Sequence, residues 1–314
     1  MSRPKRLFIS REIGLYHITS QVTGGDFLFK KTEKEYLLNT LKRFASGFFV
    51  HIHAFAFMSN HIHILASERT QEAMAATKEE LFQRHRIMYG QDAEPPIGRT
   101  LPNGLIIPDK DGGVERLRTR LGSTSRFVQE FKQSFSRWYN KRSKRRGYLW
   151  NNRFHVVAIQ RGDPELVCSA YIENNAVRAG IEMLPDDYHW CSLGLSVHRP
   201  ELANSLLTEL LSDGVSPPLP LSGYRLFAYR RLNISVPGMT DIDPKVLAQV
   251  DAVCARLGMG DQAGCRIRNI SEGVAMGSRE FVAAIQRQLD RRFIRPKALS
   301  EGSGLYCTRR LVSP

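Results

Sequence analysis

Long hydrophobic runs, paired cysteines and negative charge are what this chain of 314 residues has least of. No stretch of 18 apolar residues occurs, which excludes a membrane-spanning helix. The N-terminal MSRPKRLFIS lacks the apolar stretch and cleavage site of a signal peptide, so a cytoplasmic protein is expected. The five cysteines, Cys168, Cys191, Cys254, Cys265 and Cys307, are odd in number, widely spaced and form no Cys-x-x-Cys. Neither a disulfide framework nor a zinc knuckle is supported, and reduced thiols are expected. Acidic residues are outnumbered by Lys and Arg, 31 to 45, which leaves a net charge of +14 and a pI near 9.8. That balance marks a polyanion binder, with nucleic acid the first candidate and acidic membranes the rival. A hydrophobic content of 42% argues against disorder along the whole chain, and its length allows one large domain or two modest ones.

Periodicity and punctuation place the elements. Gly14 to Val22 reads as a strand, followed by a helix opened by the capping box Thr32-x-x-Glu35 and stopped at Gly47. Gly47 to Met58 is an aromatic strand, Ser59-Asn60 a turn, and His61 to Ala66 the second strand of a hairpin. One helix is predicted from Thr70 to Tyr89, a long loop from Gly90 to Gly113, a helix from Ser123 to Asn140 and a strand from Gly147 to Gln160. Asp163-Pro164-Glu165 is a strong helix start, with the helix running to Ala179 before Gly180. Beyond Pro200 come helices from Glu201 to Leu211, from Asp243 and from Ser278, with a linker-like stretch from Asp213 to Gly223. The expected architecture is an α+β domain over residues 1–198, carrying an insertion at 68–121, and a mainly helical C-terminal region over 199–314.

Chemistry concentrates in two places. Four of the nine histidines, His51, His53, His61 and His63, lie close together, and alternation along a strand puts His61 and His63 on one face with Ile62 on the other. A tight hairpin places Phe55 and Phe57 opposite them. Two imidazoles on one face can share a cation, although sheet histidines satisfied by hydrogen bonds account equally well for the spacing alone. The second place is the helix from Asp163, where Tyr171, Asn175 and Arg178 share a face and offer a phenol, an amide oxygen and a guanidinium. A tyrosine packed on the core with solvated neighbours is the plainer account of that helix taken alone.

Three strings in this order resemble a known family: FAFMSNHIHILA (Phe55 to Ala66), EFKQSFSRWYNKRSKRRGYLWNNRFHVV (Glu130 to Val157), and YIENNAVRAGI (Tyr171 to Ile181) followed by DDYHWCSL (Asp186 to Leu193). They are similar to the single-tyrosine HUH transposases, most of all the REP-associated tyrosine transposase branch, over roughly residues 7–195. The resemblance implies a ferredoxin-like antiparallel sheet with helices. It makes His61-Ile62-His63 the motif that holds a divalent cation, Mg²⁺ or Mn²⁺, with Asn175 as third ligand and Tyr171 as the nucleophile. Where the family commonly has Asn-Pro-Val-Arg, this chain has Asn175-Ala176-Val177-Arg178, a change expected to leave the helix as regular or more so. The implied partner is single-stranded DNA bearing REP-like hairpins, and the implied location the nucleoid. Lys141, Arg142, Lys144, Arg145, Arg146 and Arg153, beside Tyr148 and Trp150, combine phosphate-pairing charge with stacking rings. Arg178 is a phosphate clamp, and Arg3, Lys5 and Arg6 are expected to form a basic arm. A hairpin-binding protein that does not cut and a metal-dependent RNA-processing enzyme remain the alternatives. Monomer and dimer are both open.

Overall fold

The computed structural model describes residues 14–95, 98–100, 106–108, 112–151, 153–207, 219–234, 242–258, 270, 273–288, 296–299 and 303–308. In chain order the first half comprises β1 (Leu15–Gln21), α1 (Lys31–Gly47), β2 (Val50–Phe57), β3 (His61–Glu68), α2 (Thr70–Ala75), α3 (Lys78–Tyr89), β4 (Gly98–Thr100), β5 (Ile106–Pro108), α4 (Gly112–Leu121) and α5 (Thr124–Arg142). The second half comprises β6 (His155–Ile159), α6 (Asp163–Glu173), α7 (Asn175–Arg178), α8 (Ser192–His198), α9 (Pro200–Leu206), α10 (Leu221–Arg230), α11 (Pro244–Arg256), β7 (Ala275–Gly277), α12 (Arg279–Gln288), β8 (Lys297–Ala298) and β9 (Tyr306–Thr308).

The result is an α+β protein built on a mixed seven-stranded sheet of order β2-β3-β1-β6-β7-β9-β8. The first four strands pair antiparallel, and β6 pairs parallel with β7. One face is apolar and aromatic because Tyr16, Ile18, Ile62 and Ile64 point the same way. Leu37, Leu41 and Phe44 of α1 and Phe127, Phe131 and Phe135 of α5 close over them. Removing one such ring, as in Phe131→Ala, costs about 3–5 kcal/mol. The other face carries Leu15, Leu65, Val157 and Ile159 and is covered by α6, with Phe227 of α10 and Val250 of α11 behind it.

Several elements differ from the sequence expectation, each for a local reason. The hairpin turns on Ser59 and Asn60 alone, closed by the Met58 N–H donating to the His61 carbonyl at 2.9 Å, so Ala56 lies opposite His63 and Phe57 opposite Ile62, while a β-bulge at His53 shifts the register only farther along β2. Phe55 and Phe57 therefore enter the α1/α5 core rather than facing the histidines, and the small Ala54 and Ala56 leave room for α6. The helix expected over 70–89 is two, because Thr77 caps α3 by accepting from the Glu80 N–H at 3.2 Å. The box expected at Thr32 and Glu35 is instead made by Glu33, whose carboxylate accepts from the Lys30 N–H. Within the stretch read as a loop, β4 and β5 pair. The strand expected from Gly147 begins only at His155. The helix from Asp163 breaks at Asn174, although no proline follows it: the Asn175 amide donates to the Tyr171 and Ile172 carbonyls, and the Asn174 amide donates to the Ala228 carbonyl at 3.0 Å. The region beyond residue 199, expected to be mainly helical, also supplies β7, β8 and β9 to the sheet; at two or three residues each they are too short to show a period. Among the described residues no helix is long and apolar enough to cross a membrane.

Candidate functional site

Pairing of β1 with β3 sets Thr19 opposite His63 and Gln21 opposite His61, so His17 is a diagonal neighbour of His63 on the face that α6 covers. His17 Nδ1 lies 2.9 Å from the Ile270 carbonyl oxygen, which only accepts, so that nitrogen carries the proton. His17 Nε2 is then an acceptor, 3.0 Å from His63 Nδ1, which must donate. The two ring planes are near parallel, 16° apart, with centroids 5.2 Å from each other. This relay leaves the lone pair of His63 on Nε2. His61 reaches the same state by another route. Its Nδ1 donates to Asn60 Oδ1 at 2.6 Å, and Asn60 is held in that orientation by donating to the Gly25 carbonyl at 2.9 Å. Outer partners of this kind fix which nitrogen is available for a metal.

Burial holds the His17 and His61 imidazoles down to about 4, and holds His63 well below its ordinary range, with His61 and His17 adding to the effect. All three are neutral at physiological pH, the state in which imidazole ligates. The His61 and His63 rings stand 5.0 Å apart, and Tyr171 of α6 meets both His63 and His17 edge-on at 5.9 Å. Tyr171 is 5% exposed. The Arg178 guanidinium sits 5.3 Å from its ring centroid, within cation–π range. Asn175, at the start of α7, donates its side-chain amide to the Tyr171 and Ile172 carbonyls at 2.9 and 3.0 Å. That bonding caps α6. Among the described residues no group of three or more His, Cys, Asp or Glu is arranged to hold a metal ion.

The helix bearing Tyr171 is anchored from several sides. Glu173 is buried beneath α10 and accepts from Ser192 Oγ at 2.6 Å and from the Tyr224 hydroxyl. Burial pushes its carboxyl up to about 7, with both hydroxyls acting against the rise. Asp163 at the first turn accepts two bonds from Arg256, each 2.7 Å. A separate buried group lies further along β2. His53 Nε2 is 2.7 Å from Ser67 Oγ, while Nδ1 is 3.1 Å from Glu165 Oε1 without hydrogen-bond alignment. Burial brings His53 down to about 3, with Arg161 and His51 reinforcing it.

The basic residues fall at the end of α5 and in the turn after it. Lys141, Arg142, Lys144 and Arg146 are exposed and Arg145 is half-buried. Arg142 is shared with Glu33 at 3.8 Å. Trp150 is 9% exposed, packs on Phe29 and Phe135, donates its Nε1–H to the Lys132 carbonyl, and lines a groove beside α5 with what remains accessible. The ring left in solvent is Tyr148, 90% exposed. Arg153 is exposed nearby. Arg3, Lys5 and Arg6 lie outside the described residues.

Sequence reasoning missed His17 and Glu173. The only trace of His17 was its place in a β-branched strand, since its role needs the register of β1 against β3 and the carbonyl of a distant residue. Glu173 sits two residues from Tyr171 within the quoted motif, but nothing local marks a carboxylate as buried.

No protein-family model matches this sequence, and no curated protein matches it. Among solved structures, the chain is similar to a REP-associated tyrosine transposase bound to a REP hairpin. The likeness covers 64% of this chain and 87% of that one, with 16% identity and a TM-score of 0.39.

Proposed function

We propose that this chain is a metal-dependent single-tyrosine DNA transposase, a nuclease and strand transferase acting on hairpin-bearing, REP-like single-stranded DNA. The observation that carries the reading is the orientation of the histidine pair. Both Nδ1–H groups are spent on fixed acceptors, both Nε2 lone pairs are left for a ligand, and the Tyr171 ring lies 5.9 Å from His63. The order β2-β3-β1-β6, with helices α1 and α5 in the connections, supports the ferredoxin-like arrangement expected from the motifs.

The donor set fits Mg²⁺ or Mn²⁺: His61 and His63 supply two neutral imidazoles, and the Asn175 amide oxygen is the third candidate ligand. Such a cation supplies Lewis-acid polarisation of a phosphate oxygen and offsets charge that develops in phosphoryl transfer. Tyr171 Oη forms the new bond to phosphorus, the bond from phosphorus to the 3′ oxygen breaks, and the phenolic proton leaves to water while the 3′ oxygen takes one up. The products are a 5′-phosphotyrosine and a free 3′-OH. The covalent bond conserves the energy needed for a second 3′-OH to reverse the step on another strand. Arg178 holds the Tyr171 ring and offers its charge to the phosphate. Lys141, Arg142, Lys144, Arg145, Arg146 and Arg153 bind the backbone, and Arg3, Lys5 and Arg6 add a basic arm. Action on DNA places the protein at the nucleoid.

One observation favours a second reading, a repeat-hairpin binding protein that does not cleave: Tyr171 is 5% exposed, so the phenol has to be uncovered before it can attack. Labelled hairpin DNA incubated with the protein and Mn²⁺ or Mg²⁺ separates the two. A shortened strand with a free 3′-OH is expected; undiminished hairpin binding with no cleavage under either metal sinks the transposase reading.

A further inference from the structure

Between α5 and the segment 147–154 lies a groove of about 460 Å³, within the usual ~300–1,000 Å³ of small-ligand sites. We propose that it receives one unpaired nucleobase of the bound strand and so sets which phosphodiester reaches Tyr171. The proposal rests on the DNA reading above and deepens it.

Three features of the groove select the occupant. Its charged lining residues are Lys132, Arg137 and Arg153, with no carboxylate among them, so the ligand is anionic. Its apolar surface comes from rings: Trp150 and Phe154 line it, with the Lys132 ammonium held 5.2 and 5.6 Å from their centroids. Because Trp150 Nε1 is already bonded to the Lys132 carbonyl, that wall offers flat carbon surface rather than donors. At the mouth stands Tyr148, 90% exposed, carried on a turn at Gly147 (φ 95). The turn is anchored where Asn140 donates to the Gly147 carbonyl at 3.0 Å. A large ring in solvent beside cations and an exposed amide, Gln133, suits a flat heteroaromatic group with a polar edge and an attached phosphate. Duplex bases keep their faces stacked and cannot enter, so the occupant is a base outside a helix.

Position links this groove to the histidines. Val22 pairs with Trp150, and the Asn151 N–H donates to the Gln21 carbonyl at 2.8 Å. Gln21 is the strand partner of His61. The groove wall and His61 are thus fixed to the same end of β1, and a base seated in the groove holds the following backbone at a constant offset from the site.

The test is a scan of hairpin-bearing oligonucleotides in which each unpaired position in turn is made abasic. Affinities are measured for the full-length protein and for a Tyr148→Ala/Gln133→Ala variant, whose altered side chains are exposed. One abasic position is expected to weaken wild-type binding about tenfold and the variant's less than twofold. An equal penalty in both proteins, or no sensitive position in an oligonucleotide that binds and is cleaved, overturns the proposal. Failure of the wild type to bind any intact oligonucleotide overturns the DNA reading itself, and this proposal with it.

Discussion

His63 Nδ1 donates to His17 Nε2 across 3.0 Å, and His17 in turn donates to the carbonyl of Ile270, so the ring orientation of a proposed metal ligand is fixed through two strands and a segment near the C-terminus. His17→Phe keeps a ring in the buried position but removes the acceptor. Affinity for Mn²⁺, measured by calorimetry, is expected to fall about 10–100-fold. Stability falls by about 1–3 kcal/mol because the His63 N–H loses its partner. Unchanged Mn²⁺ affinity would show that His17 does not orient the site.

Burial of neutral histidines gives the fold a definite pH dependence. His53 and His17 are held at about 3 and about 4 in the folded chain against 6.5 when exposed. The unfolded state therefore takes up protons below about pH 6.5 that the folded state refuses. Their contribution is intact above pH 6.5 and is lost as pH falls toward 4 and 3. Urea midpoints of the metal-free protein are expected to drop steadily across that window, and flat midpoints would contradict it.

Glu173 acts with the opposite sign. Its carboxyl is raised to about 7 from 4.5, so its contribution is complete below pH 4.5 and lost as pH rises through 7. Comparison of Glu173→Gln with wild type isolates this group. The variant's relative stability is expected to improve between pH 4.5 and 7 by on the order of 3 kcal/mol. A difference independent of pH would show that the carboxyl is not strained by burial.

The parts of this protein that were legible in its sequence are those fixed by local pattern. His61 and His63 share a face because strands alternate, α5 starts where Ser123 caps it, and α11 starts at the capping Asp243. What stayed hidden depends on distant partners. The break at Asn174 goes with a hydrogen bond from its amide to a carbonyl on α10, 54 residues away in the chain. The role of His17 is decided by Ile270, 253 residues away in the chain. Trp150 carried no local sign that most of its ring would be buried while the neighbouring Tyr148 stays in solvent.

The turn after α5 makes an electrostatic prediction. Among the described residues Lys144, Arg145 and Arg146 have no carboxylate partner, and Lys144 and Arg146 are exposed, so replacing all three by Ala should leave the melting temperature nearly unchanged. Single-strand affinity should weaken, and the slope of log K against log salt should become shallower by about 2, from ~0.7 per phosphate contact. An unaltered slope would place the strand elsewhere on the surface.

The most direct test of the central claim is to trap the protein with hairpin-bearing single-stranded DNA and Mn²⁺, digest it, and locate the nucleotide-bearing peptide by mass spectrometry. The account predicts a phosphodiester adduct on the peptide containing Tyr171, absent from Tyr171→Phe. A cleaved strand with no covalent peptide, or an adduct that persists in Tyr171→Phe, would contradict it.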